Sequence, residues 1–202
     1  MITTLLWDID GIFVDTEKLH FSAWQWLAQK YGKKFSWDEY QSMMGCGGEE
    51  NMITFCKMKG ITEDNATLQI MRRKKYERLR HNGIPVIMEN IALAKRFRKE
   101  YPELKQATVS SSRRADVDEN IAAAGLSGFF VRIISFEDRA DLRRKPAPDL
   151  YRHACEMLNC SPKECLAFED SLNGARAAKG AGIKVLMLPT ALSPQKILKF
   201  YK

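Results

Sequence analysis

Apolar and polar positions divide the chain into three textures. Residues 3–7, Thr-Thr-Leu-Leu-Trp, are apolar and β-favouring and run straight into Asp8-Ile9-Asp10-Gly11; this predicts a buried parallel strand closing on a polar loop. Over residues 17–83 the period changes. Leu19, Ala23, Trp26, Leu27 and Tyr31, then Leu68, Met71 and Leu79, recur at helical spacing with no convincing strand among them. Past Gln106 short apolar runs alternate with helical stretches. A strand at 107–109 leads into Ser110-Ser111-Ser112, a helix through 121–124 stops at Gly125, residues 130–134 form a strand, and Pro148 opens a helix through Leu158. Ser161-Pro162-Lys163-Glu164 combines a capping box with proline at the first helical position. Residues 165–168 then form a strand ending on Glu169-Asp170, a helix through Ala178 reaches Gly180, residues 185–188 form the last strand, and the basic tail at 194–201 predicts a final helix.

Strands alternating with helices predict an α/β fold, a doubly wound Rossmann-like parallel sheet, here with an inserted all-helical cap. The expected boundaries are residues 1–16 plus 85–202 for the core and 17–84 for the cap, placed as a lid over whatever the strand ends hold. A length of 202 residues suits that plan and is too short for two large independent domains. With 45% hydrophobic and 28% charged residues, disordered, collagen-like and coiled-coil classes are excluded. No apolar run approaches the ~18 residues of a membrane span, and the first residues lack a basic signal-peptide head, so a cytoplasmic protein without a membrane partner is expected. Cys46, Cys56, Cys155, Cys160 and Cys165 contain no CxxC pair and are read as reduced, mostly buried thiols. The even spacing of the last three invites a metal reading, but five-residue steps do not share one helix face.

Candidate chemistry gathers at predicted strand ends or just beyond them: Asp8 with Asp10, Ser110, Lys145, and Glu169 with Asp170. In an open parallel sheet those ends face one crevice. Four carboxylates there would repel one another unless a cation sat among them, and an all-oxygen set suits Mg²⁺. Lys145 supplies a second positive charge and Ser110 a neutral donor for phosphate oxygens. Alternation along an extended backbone puts the side chains of Asp8 and Asp10 on one side of the chain. A carboxylate nucleophile that forms an aspartyl phosphate would divide phosphoryl transfer into two steps.

Asp8-Ile9-Asp10-Gly11 with Asp15-Thr16, then Ser110, then Lys145-Pro146-Ala147-Pro148-Asp149, then Glu169-Asp170-Ser171 with Gly174 resemble the four motifs of the haloacid dehalogenase superfamily, in order. The inserted helices place the resemblance in the subgroup that holds phosphoglycolate phosphatase-like hydrolases and β-phosphoglucomutase. The resemblance implies Asp8 as nucleophile, Asp10 as general acid and base, Ser110 and Ser111 as phosphate ligands, and Lys145 as the cation that steadies nucleophile and phosphate. It also implies Mg²⁺ on Asp8, the Asp10 carbonyl and Asp170, with Glu169 a further ligand or an acceptor behind them. Its second Asp disfavours true dehalogenation. The implied activity is a Mg²⁺-dependent phosphatase acting on a small phosphorylated metabolite. The alternative is a β-phosphoglucomutase-like sugar phosphomutase, and a third reading is a non-catalytic binding protein on the same fold. His20, Gly48 and Arg113 are candidate substrate or cap residues; Gly48 stands where the mutase pattern carries an arginine, which favours the phosphatase.

Single pieces have plainer readings. A lone DxDG is often a turn, and Lys-Pro-Ala-Pro a loop entering a helix; four clusters around one crevice read as catalytic. Asp15, Thr16 and Ser171 read as helix caps, and Gly45-Cys46-Gly47-Gly48 as a turn or a backbone cradle. Lys and Arg number 32 against 25 Asp and Glu, a formal +7, and residues 17–84 hold 12 basic against 8 acidic residues. The run Arg72-Arg73-Lys74-Lys75 with Arg78 and Arg80 reads as a solvated helix face, so a small anionic metabolite is expected rather than nucleic acid. A monomer is expected, with a homodimer open.

Overall fold

Strand β1 (Thr4–Trp7) is buried along its whole length, as a strand covered on both faces must be. In this computed structural model residues 1–43 and 48–188 are described; Gly45-Cys46-Gly47, expected as a turn or a backbone cradle, and the C-terminal helix expected at 194–201 lie outside them. β1 pairs in parallel with β2 (Lys105–Ser110) on one side and with β4 (Cys165–Glu169) on the other. Outside these lie β3 (Arg132–Ser135) and β5 (Lys184–Met187), giving the order β3-β2-β1-β4-β5. The chain moves outward to β3 and then returns to the far side of β1, so the winding direction switches beside β1, where a doubly wound sheet opens a crevice at its carboxyl ends. The register sets Trp7 beside Thr108 and Phe168, which brings the residues that follow β1, β2 and β4 to one edge.

Side chains of β1 alternate between two apolar layers. Leu6 joins Ala107, Val109 and Ala167 under α7 (Asp149–Leu158) and α8 (Leu172–Gly180). On the other face Trp7 stacks on Phe168 with ring centroids 3.8 Å apart. Trp7 donates to Gln106 at 3.0 Å, and Gln106 in turn donates to the Ala94 carbonyl of α5 (Met88–Glu100). Both buried polar groups are thereby satisfied. Helix α6 (Arg114–Ala123) joins β2 to β3.

The chain divides into two compact units, Met1–Asp15 with Pro85–Lys202, and Thr16–Ile84. The second is all helical: α1 (Thr16–Lys30), α2 (Trp37–Met43), α3 (Gly48–Lys59) and α4 (Asn65–His81). Its core is aromatic, with Trp24, Phe35 and Phe55 in mutual ring contact. Asp64 caps α4 by accepting from the Thr67 N–H at 2.8 Å. The basic run on α4 is not uniformly solvated: Arg80 is buried and donates to the Tyr76 hydroxyl at 3.2 Å, and the Arg72 guanidinium lies 4.8 Å from the Trp24 ring centre. Arginine's planar, weakly hydrated head tolerates such aromatic contacts. His20 stacks on Tyr76 at 4.0 Å.

Three sequence readings shift. Residues 88–100 form a full helix that hydrophobic spacing did not delimit, the strand expected at 130–134 begins two residues later, and the capping box at Ser161 opens a single 3₁₀ turn, Pro162–Glu164. Among the described residues no helix is long and apolar enough to cross a membrane.

Candidate active site

Asp8 follows β1, its amide held by the Phe168 carbonyl at 3.0 Å. Its carboxylate meets Lys145, whose ammonium lies 2.7 Å from Asp8 Oδ1, 2.6 Å from Glu169 Oε1 and 2.8 Å from the Val109 carbonyl oxygen. An ammonium has three N–H donors and here finds three acceptors. The Lys145 amide is tied to Ser111 Oγ at 3.1 Å, which anchors the Lys-Pro-Ala-Pro loop to the end of β2.

Burial pushes the Asp8 carboxyl up to about 7; Lys145 opposes the rise, while Glu169 and Asp10 add to it. Burial, with the charges of Asp8 and Glu169, lifts Asp170 well above the carboxylate range. Burial also disfavours the Lys145 charge, but Asp8 and Glu169 outweigh it and hold the amine protonated beyond its ordinary range. One cation does not offset three converging carboxylates.

Oxygens of Asp8, Glu169 and Asp170 all lie within 4.8 Å of one another. Glu169 is fully buried; its Oε1 also accepts from Tyr151 at 2.5 Å, whereas Oε2 has no hydrogen-bond partner among the described residues. A crowded, all-oxygen set of three carboxylates served by one ammonium fits a hard divalent cation such as Mg²⁺.

Two glycines make room for these acids. A Cβ on Gly174 would fall 1.8 Å from Glu169 Oε2, and one on Gly11, whose φ is +80°, would fall 1.9 Å from Asp170 Oδ2. Alanine normally gains up to ~1 kcal/mol over glycine in a helix. At Gly174, in the first turn of α8 with its amide held by the N-cap Ser171 at 3.0 Å, the sign is expected to reverse. Gly174→Ala should lose about 1–3 kcal/mol in urea unfolding because Glu169 must move; a stabilised variant would show that the packing of Glu169 on Gly174 is loose.

Asp10 is oriented differently. Ser112 Oγ donates to its Oδ2 at 2.8 Å and Asn120 Nδ2 to its Oδ1 at 3.0 Å. The three serines after β2 therefore divide their work. Ser110 Oγ accepts the Ser112 amide at 3.0 Å and retains a hydroxyl proton to donate, Ser111 props the lysine loop, and Ser112 holds Asp10. Ser111, also expected as a phosphate ligand, accepts the Lys145 amide and, like Ser110, retains a hydroxyl proton to donate.

Ser112, Asn120 and Tyr151 were missed at the level of sequence. Ser112 stood in view in the serine run, but Asn120 and Tyr151 lie inside helices with nothing in the local pattern to single them out. Arg113, a candidate substrate residue, is exposed and makes two hydrogen bonds to Asp116, at 2.9 and 3.2 Å. Candidate His20 has its ring on Tyr76 and its Nδ1 3.4 Å from Arg72, and Gly48 is the first residue of α3.

A family model described as haloacid dehalogenase-like hydrolase matches residues 5–188. The chain is 30% identical over 185 residues to the phosphorylated carbohydrates phosphatase of Thermotoga maritima, an alignment that covers 89% of this chain and 82% of that protein. It is 34% identical over 204 residues to the protein CbbY of Cereibacter sphaeroides, covering 94% and 85%. The crystal structure of a CbbY variant from Rhodobacter sphaeroides in complex with xylulose-(1,5)bisphosphate is similar with a TM-score of 0.69 and 28% identity, covering 94% of this chain and 87% of that one.

Proposed function

Because the chain belongs to the haloacid dehalogenase-like hydrolase family, we propose that it is a Mg²⁺-dependent phosphatase that hydrolyses a small phosphorylated metabolite, a sugar phosphate or similar phosphomonoester. The observation that carries this reading is the buried contact of Asp8 with Lys145 at 2.7 Å, in a cluster of carboxylates at the ends of β1 and β4. Relatives that include a phosphorylated carbohydrates phosphatase support the substrate class.

A carboxylate oxygen of Asp8 attacks phosphorus in line with the departing ester oxygen, and the P–O bond to the substrate breaks as the bond to Asp8 forms. Lys145 holds Asp8 in place and offsets charge on the transferred group. Asp10 gives its proton to the leaving oxygen, so the product departs as an alcohol. In the second step Asp10 takes a proton from water as that water attacks phosphorus, which frees inorganic phosphate and restores both aspartates. Ser112 and Asn120 fix the direction in which Asp10 is offered; Ser110 is the hydroxyl that donates to phosphate. Asp8, the Asp10 carbonyl and Asp170 would hold Mg²⁺, which supplies positive charge for the phosphate oxygens, and Glu169 anchors Lys145 from behind.

A panel of phosphorylated sugars, glycolate, nucleotides and polyols with Mg²⁺, followed by phosphorus NMR, tests the activity. Release of inorganic phosphate from sugar phosphates is expected. Isomerisation of β-glucose 1-phosphate with its bisphosphate, without release, would replace the phosphatase with a mutase.

The carboxylate cluster also makes stability depend on pH. With its folded pKa lifted from 3.8 to about 7, Asp8 keeps a proton that the unfolded chain gives up. Its contribution to stability therefore falls as pH rises across that window and stays low above it. Without divalent cations the melting temperature should drop between pH ~4 and ~7, and the drop should shrink in Asp8→Asn. Mg²⁺ should raise the melting temperature more at pH 7.5 than at pH 5. An equal Mg²⁺ shift at both pH values would contradict a site made of these carboxylates.

A further inference from the structure

The end of the core sheet away from the carboxylates holds a second cluster. Cys155 lies in α7, Cys160 in the turn that follows, and Cys165 is the first residue of β4, the strand that Glu169 ends. Their even spacing gave no common helix face, and none is needed, because three different elements each deliver one sulfur. Asn159 closes α7 in the left-handed conformation, with φ 49°, and the Cys160 amide returns to the Cys155 carbonyl at 3.1 Å. The Ser161–Glu164 capping box then carries the chain into β4.

The Sγ atoms of Cys155 and Cys165 are 3.8 Å apart, those of Cys160 and Cys165 are 3.4 Å apart, and all three sulfurs lie within 4.8 Å of one another. A tetrahedral ion with metal–sulfur bonds of about 2.3 Å holds its sulfurs about 3.8 Å apart. The sulfurs therefore need to move only by tenths of an ångström to a little under 1 Å to share one ion. Cys155 and Cys165 are buried, while Cys160 is only partly so and gives an ion a route in. The chain already draws polar groups to this turn: the Lys105 ammonium donates to the Leu158 carbonyl at 3.1 Å, and Cys165 Sγ lies 3.4 Å from the Ser161 carbonyl oxygen. An all-sulfur set selects against hard cations such as Mg²⁺ and for soft ones.

We propose that Cys155, Cys160 and Cys165 form a three-sulfur binding site for a thiophilic metal cation of the Cu(I), Zn(II) or Cd(II) class, separate from the carboxylate site. Binding deprotonates the thiols that ligate, so uptake releases protons and strengthens as pH rises. The contact between the two sulfurs lowers the Cys155 thiol against the effect of burial and, together with burial, raises that of Cys165, so Cys155 gives up its proton first.

Cd²⁺ is the probe. The reduced chain, kept free of oxygen and saturated with Mg²⁺ to cover the carboxylates, is titrated while the sulfur-to-cadmium charge-transfer absorption is followed. Saturation of that band at one ion per chain is expected, and Cys160→Ser, at the most accessible of the three positions, should weaken binding at least about tenfold with an unchanged circular dichroism spectrum. Cys56→Ser should bind as the parent does. A parent chain that shows no band, a band undiminished in Cys160→Ser, or a Cys160–Cys165 disulfide with no metal uptake would overturn the site.

Discussion

Asp8→Asn is expected to lower phosphate release by about 10⁴-fold or more while leaving the fold intact. An amide cannot act as the anionic nucleophile, and no neighbour can substitute for it. Glu169 Oε1 is engaged by Lys145 and Tyr151, its other oxygen is packed on Gly174, and Asp10 is directed elsewhere by Ser112 and Asn120. The same change removes one charge from a crowded buried cluster, so the melting temperature at pH 7.5 without Mg²⁺ should hold or rise. Loss of activity with loss of fold would instead show a structural role for Asp8. Activity within about tenfold of the parent would remove it as nucleophile.

Lys145→Met should have the largest effect on stability. Methionine has nearly the same reach but no charge, so Asp8 and Glu169 would be left facing each other in a site where the lysine side chain is only 7% exposed. Removing one member of a buried ion cluster costs roughly 3–5 kcal/mol. The penalty should be full in urea unfolding at pH 7.5 and smaller at pH 5, where Asp8 can take up a proton. Lys145→Arg should not restore activity, because a planar fork cannot meet three acceptors disposed around one ammonium. A loss below about 1 kcal/mol at pH 7.5 would mean that the cluster is solvated rather than buried.

The core was largely legible because parallel strands write themselves as short apolar runs. Thr4–Trp7 and Cys165–Glu169 could be found that way, and each is followed by the acid that a strand end presents. Helix α5 crowds Lys95, Arg96, Arg98, Lys99 and Glu100 into its second half and buries only Asn90, Ile91 and Ala94, too few for its period to stand out. Asn120 and Tyr151 matter through tertiary contacts with Asp10 and Glu169, each reached across a long sequence separation, which local spacing does not encode. The even spacing of Cys155, Cys160 and Cys165 was visible, but a metal reading was set aside on helix geometry because their convergence depends on the turn at Asn159. Arg80 was misread as solvated because charge alone does not reveal a tyrosine one helical turn earlier that accepts its hydrogen bond.

In the proposed mechanism Asp8 carries the phosphoryl group between substrate and water. Acid quenching of a single turnover with a radiolabelled sugar phosphate, followed by peptide mapping, would catch it there. Label that appears transiently on the peptide containing Asp8, and that disappears as phosphate is released, is the expected result. Full release of phosphate with no label on the protein at any time would contradict it.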